Sequence, residues 1–98
     1  MSLPLIIRPE AEADVSAAYD GLESARGGLG RLFISRLRAV LERIETMPEL
    51  HGVVWQDVRA VRVRQFRYVV YYVASTDRIE VLAVLHGARD PSTWQARS

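Results

Sequence analysis

The chain contains no cysteine and no lysine, and only two histidines. Without cysteine there are no disulfides, no thiolate nucleophile and no cysteine metal site. Two histidines alone offer no metal-ligand spacing. The turn Gly27-Gly28-Leu29-Gly30 is no phosphate loop, because neither the lysine nor the hydroxyl of a nucleotide-binding loop follows it. No apolar run approaches the roughly 20 residues of a membrane-spanning helix. The opening MSLPLII has neither a basic stretch nor a small-residue cleavage site, so it is expected to be a strand and not a signal peptide. The expected location is the cytoplasm, and no cofactor is implied.

What is present fits one domain of 98 residues, 49% hydrophobic and 26% charged, the proportions of an ordinary globular protein. All 13 basic residues are arginine. The net charge of +1 is unevenly spread: 6 arginines face 8 acids before Gly52, and 7 face 4 from there onward. Arg59, Arg62, Arg64 and Arg67 lie close together with no acid among them. Arginine presents a planar fork that suits carboxylates and phosphates. A solvated strand face, or ion pairs to an acidic first helix, is the plain alternative. The chain as a whole is far less basic than most nucleic-acid-binding domains.

Leu3 to Arg8 reads as a first strand, ended by Pro9. Pro9 suits a helix start, and Glu10, Glu12 and Asp14 complement the helix dipole. Ala11, Val15, Ala18 and Leu22 then recur at helical spacing through about Arg26. After the glycine break, Leu29, Leu32, Phe33, Leu37, Val40, Leu41, Ile44 and Met47 form one wide stripe of a second helix, stopped at Pro48. Val61 and Val63 alternate with Arg62 and Arg64, Phe66 to Ala74 follows as an antiparallel neighbour, and Ile79 to His86 is a further strand. Gly87 to Ser98 is a tail. The expected fold is α+β: an N-terminal strand, an αα-hairpin, then a three-stranded antiparallel meander, with both helices on one face of a small sheet.

The stretch FRYVVYYV is apolar on both sides of its pleat. Tyr68, Val70 and Tyr72 lie on one side, and Arg67, Val69, Tyr71 and Val73 on the other. One helical hairpin can bury one face only. The second face is either open to a partner or covered by the tail, with Trp94 as its lid.

Four pieces in order, AEADVSAAYD (Ala11 to Asp20), GLGRLFISRLRAVLERIETMP (Gly28 to Pro48), VRAVRVRQFRYVVYYV (Val58 to Val73) and RIEVLAVLHGARDPSTWQAR (Arg78 to Arg97), resemble the RelE/ParE toxins of bacterial type II toxin–antitoxin modules, on the ParE-leaning side. The resemblance covers nearly the whole chain. It implies a small toxin held inactive by a cognate antitoxin whose C-terminal part wraps it, in a heterotetramer or larger complex. Acidic, disordered antitoxin tails would suit arginines at a groove rim. On this basis Arg62, Arg64, Tyr71, Val73 and Trp94 are the expected partner contacts.

Two target classes are implied. ParE-like members poison DNA gyrase; RelE-like members cut messenger RNA on the ribosome. Cleavage needs a base for the 2′-hydroxyl, an acid for the leaving oxygen and cations for the charged phosphorane. Arg67, His86 and Arg89 resemble family residues of that kind and would be catalytic if the chain is a ribonuclease. The tail lacks the tyrosine of RelE-type members, with Trp94 near its place, and Val58 and Ala60 stand where lysines would be expected. Asp57 is a loose match to a catalytic carboxylate. The expectation is therefore a non-enzymatic gyrase poison, with an mRNA endoribonuclease, or a degenerate toxin that only binds antitoxin, as alternatives.

Overall fold

The computed structural model describes residues 3–98. Five strands and three helices follow one another as β1 (Leu5–Ile7), α1 (Pro9–Ala25), α2 (Leu29–Thr46), β2 (Val53–Trp55), β3 (Val58–Arg62), β4 (Tyr68–Ala74), β5 (Ile79–His86) and α3 (Ser92–Gln95). They form one sheet in the order β1-β5-β4-β3-β2. β1 runs parallel to β5, and the other pairs are antiparallel. The expected α+β architecture is thus observed, with a fuller sheet. The meander has four strands instead of three, because Val53–Trp55 pairs with β3. That strand is three residues long and follows a turn segment, so it carries no readable alternation. The last turn of the tail is helical, too short for a periodic pattern.

Local chemistry accounts for the hairpin. Pro9 opens α1 with a φ already suited to the helix, and Glu10 and Glu12 sit in its first turn. Gly28 takes φ 90° ahead of α2, a left-handed conformation that costs glycine little. No side chain caps α2 from its own N-cap position. Instead Glu23 of α1 accepts the Gly30 amide at 2.9 Å. The backbone amides of Gly28, Arg31 and Gly30 hold the Glu23 carboxyl below its usual range despite some desolvation. A Cβ on Gly30 would lie 2.7 Å from Glu23 Cγ and 2.9 Å from the Tyr19 carbonyl oxygen. The two helices approach that closely because position 30 has no side chain.

Two apolar clusters sandwich the sheet. On the helical side Phe33, Leu37 and Ile44 of α2 pack with Val70, Tyr72, Ile79, Val81 and Val84. Tyr72 is fully buried, and its hydroxyl donates to the Pro48 carbonyl at 2.7 Å. On the other side Val58, Tyr71, Leu82, Ala83 and Leu85 gather around Trp94. The β4–β5 register shifts between Tyr71, opposite Ala83, and Tyr72, opposite Val81. The bulge at Leu82 puts Leu82 and Ala83 on one face in succession. IEVLAVLH is thus apolar on both faces, with Ile79, Val81 and Val84 in one cluster and Leu82, Ala83 and Leu85 in the other.

The tail covers the second face. Trp94 stacks on Tyr71 with ring centroids 4.4 Å apart and meets Trp55 edge-on at 6.1 Å. Of the two ways to close that face, the tail supplies most of it. Arg97 locks the tail down, reaching Asp14 of α1 at 2.6 and 3.4 Å with both terminal nitrogens. The same pair closes the sheet edge beyond β1. Arg97 donates to the Leu82 carbonyl, and Asp14 accepts the Val84 amide at 3.1 Å. Two side chains thus satisfy strand groups that a longer β1 would otherwise have paired.

Candidate functional site

Three surface features emerge from this scaffold. The first is a basic pocket of ≈ 530 Å³ at the end of β4 and β5, lined by Arg62, Arg67, Val69, His86, Gly87 and Ala88. The Gly87 amide donates to the Arg67 carbonyl at 2.7 Å, which ties the two strand ends together. His86 Nδ1 accepts the Ala88 amide at 3.1 Å, so in a neutral ring the proton resides on Nε2. The His86 ring meets Tyr68 edge-on at 5.7 Å. Arg62 is fixed by donation from Nε to the Phe66 carbonyl at 2.9 Å, and among the described residues its terminal nitrogens have no hydrogen-bond or ion-pair partner.

The second feature, a pocket of ≈ 180 Å³ between α2 and β3, is lined by Arg36, Ala39, Val40, Arg43, Val61, Arg62 and Arg64. Arg62 borders both basic pockets. The third is an apolar groove of ≈ 410 Å³ along the helical hairpin, where Ile7, Val15, Tyr19, Ile34, Leu37 and Leu41 form the walls and Glu12 and Arg38 the polar margin.

The residues anticipated from sequence separate among these features. Arg67 and His86 meet in the first pocket; Arg89 does not line it, although its amide donates to the His86 carbonyl at 2.9 Å. Arg62 and Arg64 are exposed around the basic pockets. Tyr71 and Trp94 are 8% and 5% exposed and are engaged with each other, while Val73 is half-buried beside them. Asp57 is exposed in the β2–β3 turn. The acidic first helix does not neutralise the sheet arginines: among the described residues its ion pairs are Asp14 with Arg97, and those of Glu80 are with Arg8 and Arg78.

Sequence reasoning missed Arg36 and Arg43, which join the sheet arginines from α2. Their seven-residue spacing places them on one helical face, and that was the available signal. The hairpin groove was missed as well, because its walls read as core stripe. Among the described residues no group of histidine and carboxylate side chains is arranged to hold a metal ion. Chemically, the basic pockets can bind an anion; the groove can bury an apolar helix.

The sequence and the fold match known proteins. The model of the ParE toxin of type II toxin–antitoxin systems, parDE, matches residues 5–91. This chain belongs to the ParE toxin family. Toxin ParE2 of Mycobacterium tuberculosis, from strains CDC 1551 / Oshkosh and H37Rv alike, is 31% identical over 97 residues, covering 98% of this chain and 92% of the relative. A chain from the chromosomal ParDE TA system of P. aeruginosa superposes with a TM-score of 0.65 over 87% of this chain and 96% of its own length, at 14% identity. That distance in sequence speaks to the fold alone. The ParE match takes in β1 through the start of the tail and so includes the groove and both basic pockets. It stops short of Trp94 and Arg97, the residues that latch the second face.

Proposed function

We propose that this ParE-family toxin arrests bacterial growth by inhibiting DNA gyrase through protein contacts, in the cytoplasm, and that a cognate antitoxin neutralises it. The observation that carries the non-enzymatic reading is the composition of the basic pocket. Its ionisable side chains are Arg62, Arg67 and His86. Arginine has no useful base form near neutral pH, so one histidine would have to serve as both base and acid in RNA cleavage. In one concerted transphosphorylation a single imidazole cannot take the 2′-hydroxyl proton and give one to the leaving 5′-oxygen at the same moment.

The apolar hairpin groove is the favoured antitoxin site. Its apolar walls come from Val15 and Tyr19 of α1 and Ile34, Leu37 and Leu41 of α2, a surface suited to the apolar face of an amphipathic helix. The Tyr71–Trp94 surface is less suited, because its aromatic faces are already stacked on each other.

Purified toxin added to gyrase and relaxed plasmid is expected to block supercoiling and to accumulate cleaved DNA. Growth arrest with unimpaired gyrase, together with new RNA 5′ ends within translated codons, would overturn the gyrase reading and make Arg67 and His86 catalytic candidates. Ile34→Glu is expected to keep toxicity and lose antitoxin protection. Retained protection would move the antitoxin off the groove.

A further inference from the structure

The two basic pockets share Arg62 and together form one band carrying Arg36, Arg43, Arg64, Arg62 and Arg67. No carboxylate lines either pocket, and among the described residues none of the five arginines is ion-paired. Two of the five are held in place by bonds that leave the guanidinium fork free. Arg62 donates through Nε to the Phe66 carbonyl, and Arg36 donates through Nε to Gln65 Oε1 at 3.1 Å. Gln65 stands at φ 71°, a left-handed conformation costly to a residue with a side chain. Glycine would be the relaxed choice there, and glycine could not anchor Arg36.

We propose that this arginine band binds the phosphodiester backbone of a nucleic acid, without reading its sequence. The inference does not rest on the gyrase reading. An acidic polypeptide is the competing occupant, and the floor of the band disfavours it. Val69, Gly87 and Ala88 in one pocket, and Ala39, Val40 and Val61 in the other, offer no deep apolar anchor. A disordered peptide needs such anchors to offset the entropy of ordering, and on this molecule they lie in the separate hairpin groove. A phosphodiester chain needs only repeated, pre-placed cations, with binding driven by counterion release.

The test is fluorescence anisotropy of the full chain with labelled mixed-sequence oligonucleotides of about 20 nucleotides, long enough to span a typical single-strand site. Single-stranded DNA, duplex DNA and single-stranded RNA serve as parallel probes and identify which backbone fits. Affinity is expected to fall steeply between about 50 and 200 mM salt, with the logarithmic slope shrinking by about 0.7–0.9 for each arginine removed. Arg62→Ala with Arg67→Ala should weaken binding roughly tenfold or more, whereas Arg78→Ala, ion-paired to Glu80 away from the band, should leave it unchanged. Gln65→Gly separates binding from folding: it should melt no lower than the parent chain, yet bind more weakly. An unchanged salt slope in the double variant, or undiminished binding by Gln65→Gly, would overturn the proposal. So would polyglutamate that competes as well as the oligonucleotide, charge for charge, which would give the band to an acidic protein.

Discussion

On one face of the sheet, helices of 17 and 18 residues bury a continuous apolar cluster; on the other, a single turn of four residues does the covering. Both faces are closed, but the first is held by packing distributed over many side chains. The second depends on one tryptophan and one bidentate ion pair. A face closed by many contacts opens only when the domain unfolds. A face closed by a latch can open locally, at a lower free energy than global unfolding. The apolar groove lies on the packed hairpin itself, whereas the arginine band runs from α2 across β3 to the latched side, where Val69 lines the pocket at the end of β4 and β5.

The largest expected effect is on the helical face. Phe33 is fully buried and meets Phe66 and Tyr68 at 5.3 and 5.1 Å. Phe33→Ala should cost about 3–5 kcal/mol through lost burial and a residual cavity, read as a fall in the denaturant midpoint. A loss under about 1 kcal/mol would mean that this face is not the principal core.

Unlatching the other face should cost less. Arg97→Ala removes a bidentate pair whose side chains are only 18% and 11% exposed, and it strips Asp14 and the Leu82 carbonyl of their partner. We expect a loss of about 2 kcal/mol. Amide exchange should accelerate in α3 and β5 while α2 stays protected. Equal acceleration in both would erase the distinction between the two faces.

Gly30→Ala tests the hairpin itself. The added methyl meets backbone at Tyr19, which must give way, so about 1–3 kcal/mol of overpacking strain is expected. Thermal unfolding compared with Gly21→Ala, where nothing stands within 4 Å, would isolate that strain.

The smallest effect is a pH dependence at the turn after α2. His51 Nε2 is buried without a hydrogen-bond partner. Desolvation, then the charges of Arg43 and Arg59, hold the His51 imidazole below its ordinary value of 6.5. The folded state therefore favours the neutral ring. The stability from His51 is fully present above pH 6.5 and is lost as pH falls below it toward the lowered folded value. His51→Gln should flatten the melting temperature between about pH 6.5 and 5.5, above the carboxylate range. An identical slope in parent and variant would assign the effect elsewhere.

Much of the scaffold was legible because it rests on short-range signals. Pro9 with its following acids, the glycine break and the wide stripe of α2 each follow from local sterics or helical periodicity. β4 was legible as a doubly apolar strand, and β5 as a further strand. β2 was not, since three residues after a turn have no measurable period. The bulge at Leu82 was hidden too, because a register shift depends on the partner strand. Of the candidate site, Arg67 and His86 line one pocket and Arg89 does not, a grouping that depends on where the strand ends meet.

By itself, then, the sequence determined the order and type of the long elements, the two-faced character of the central strands, and the resemblance to ParE toxins. These follow from propensity, periodicity and the linear order of motifs, all readable along the chain. Only the tertiary structure decided what covers each face and which arginines share a surface. Trp94 reaches Tyr71, and Arg97 reaches Asp14 across 83 positions of sequence. Arg36 and Arg43 arrive beside Arg62 from a different element, with the acids placed elsewhere. Such juxtapositions depend on how whole elements pack, and nothing in the spacing of residues along one element specifies its distance from another.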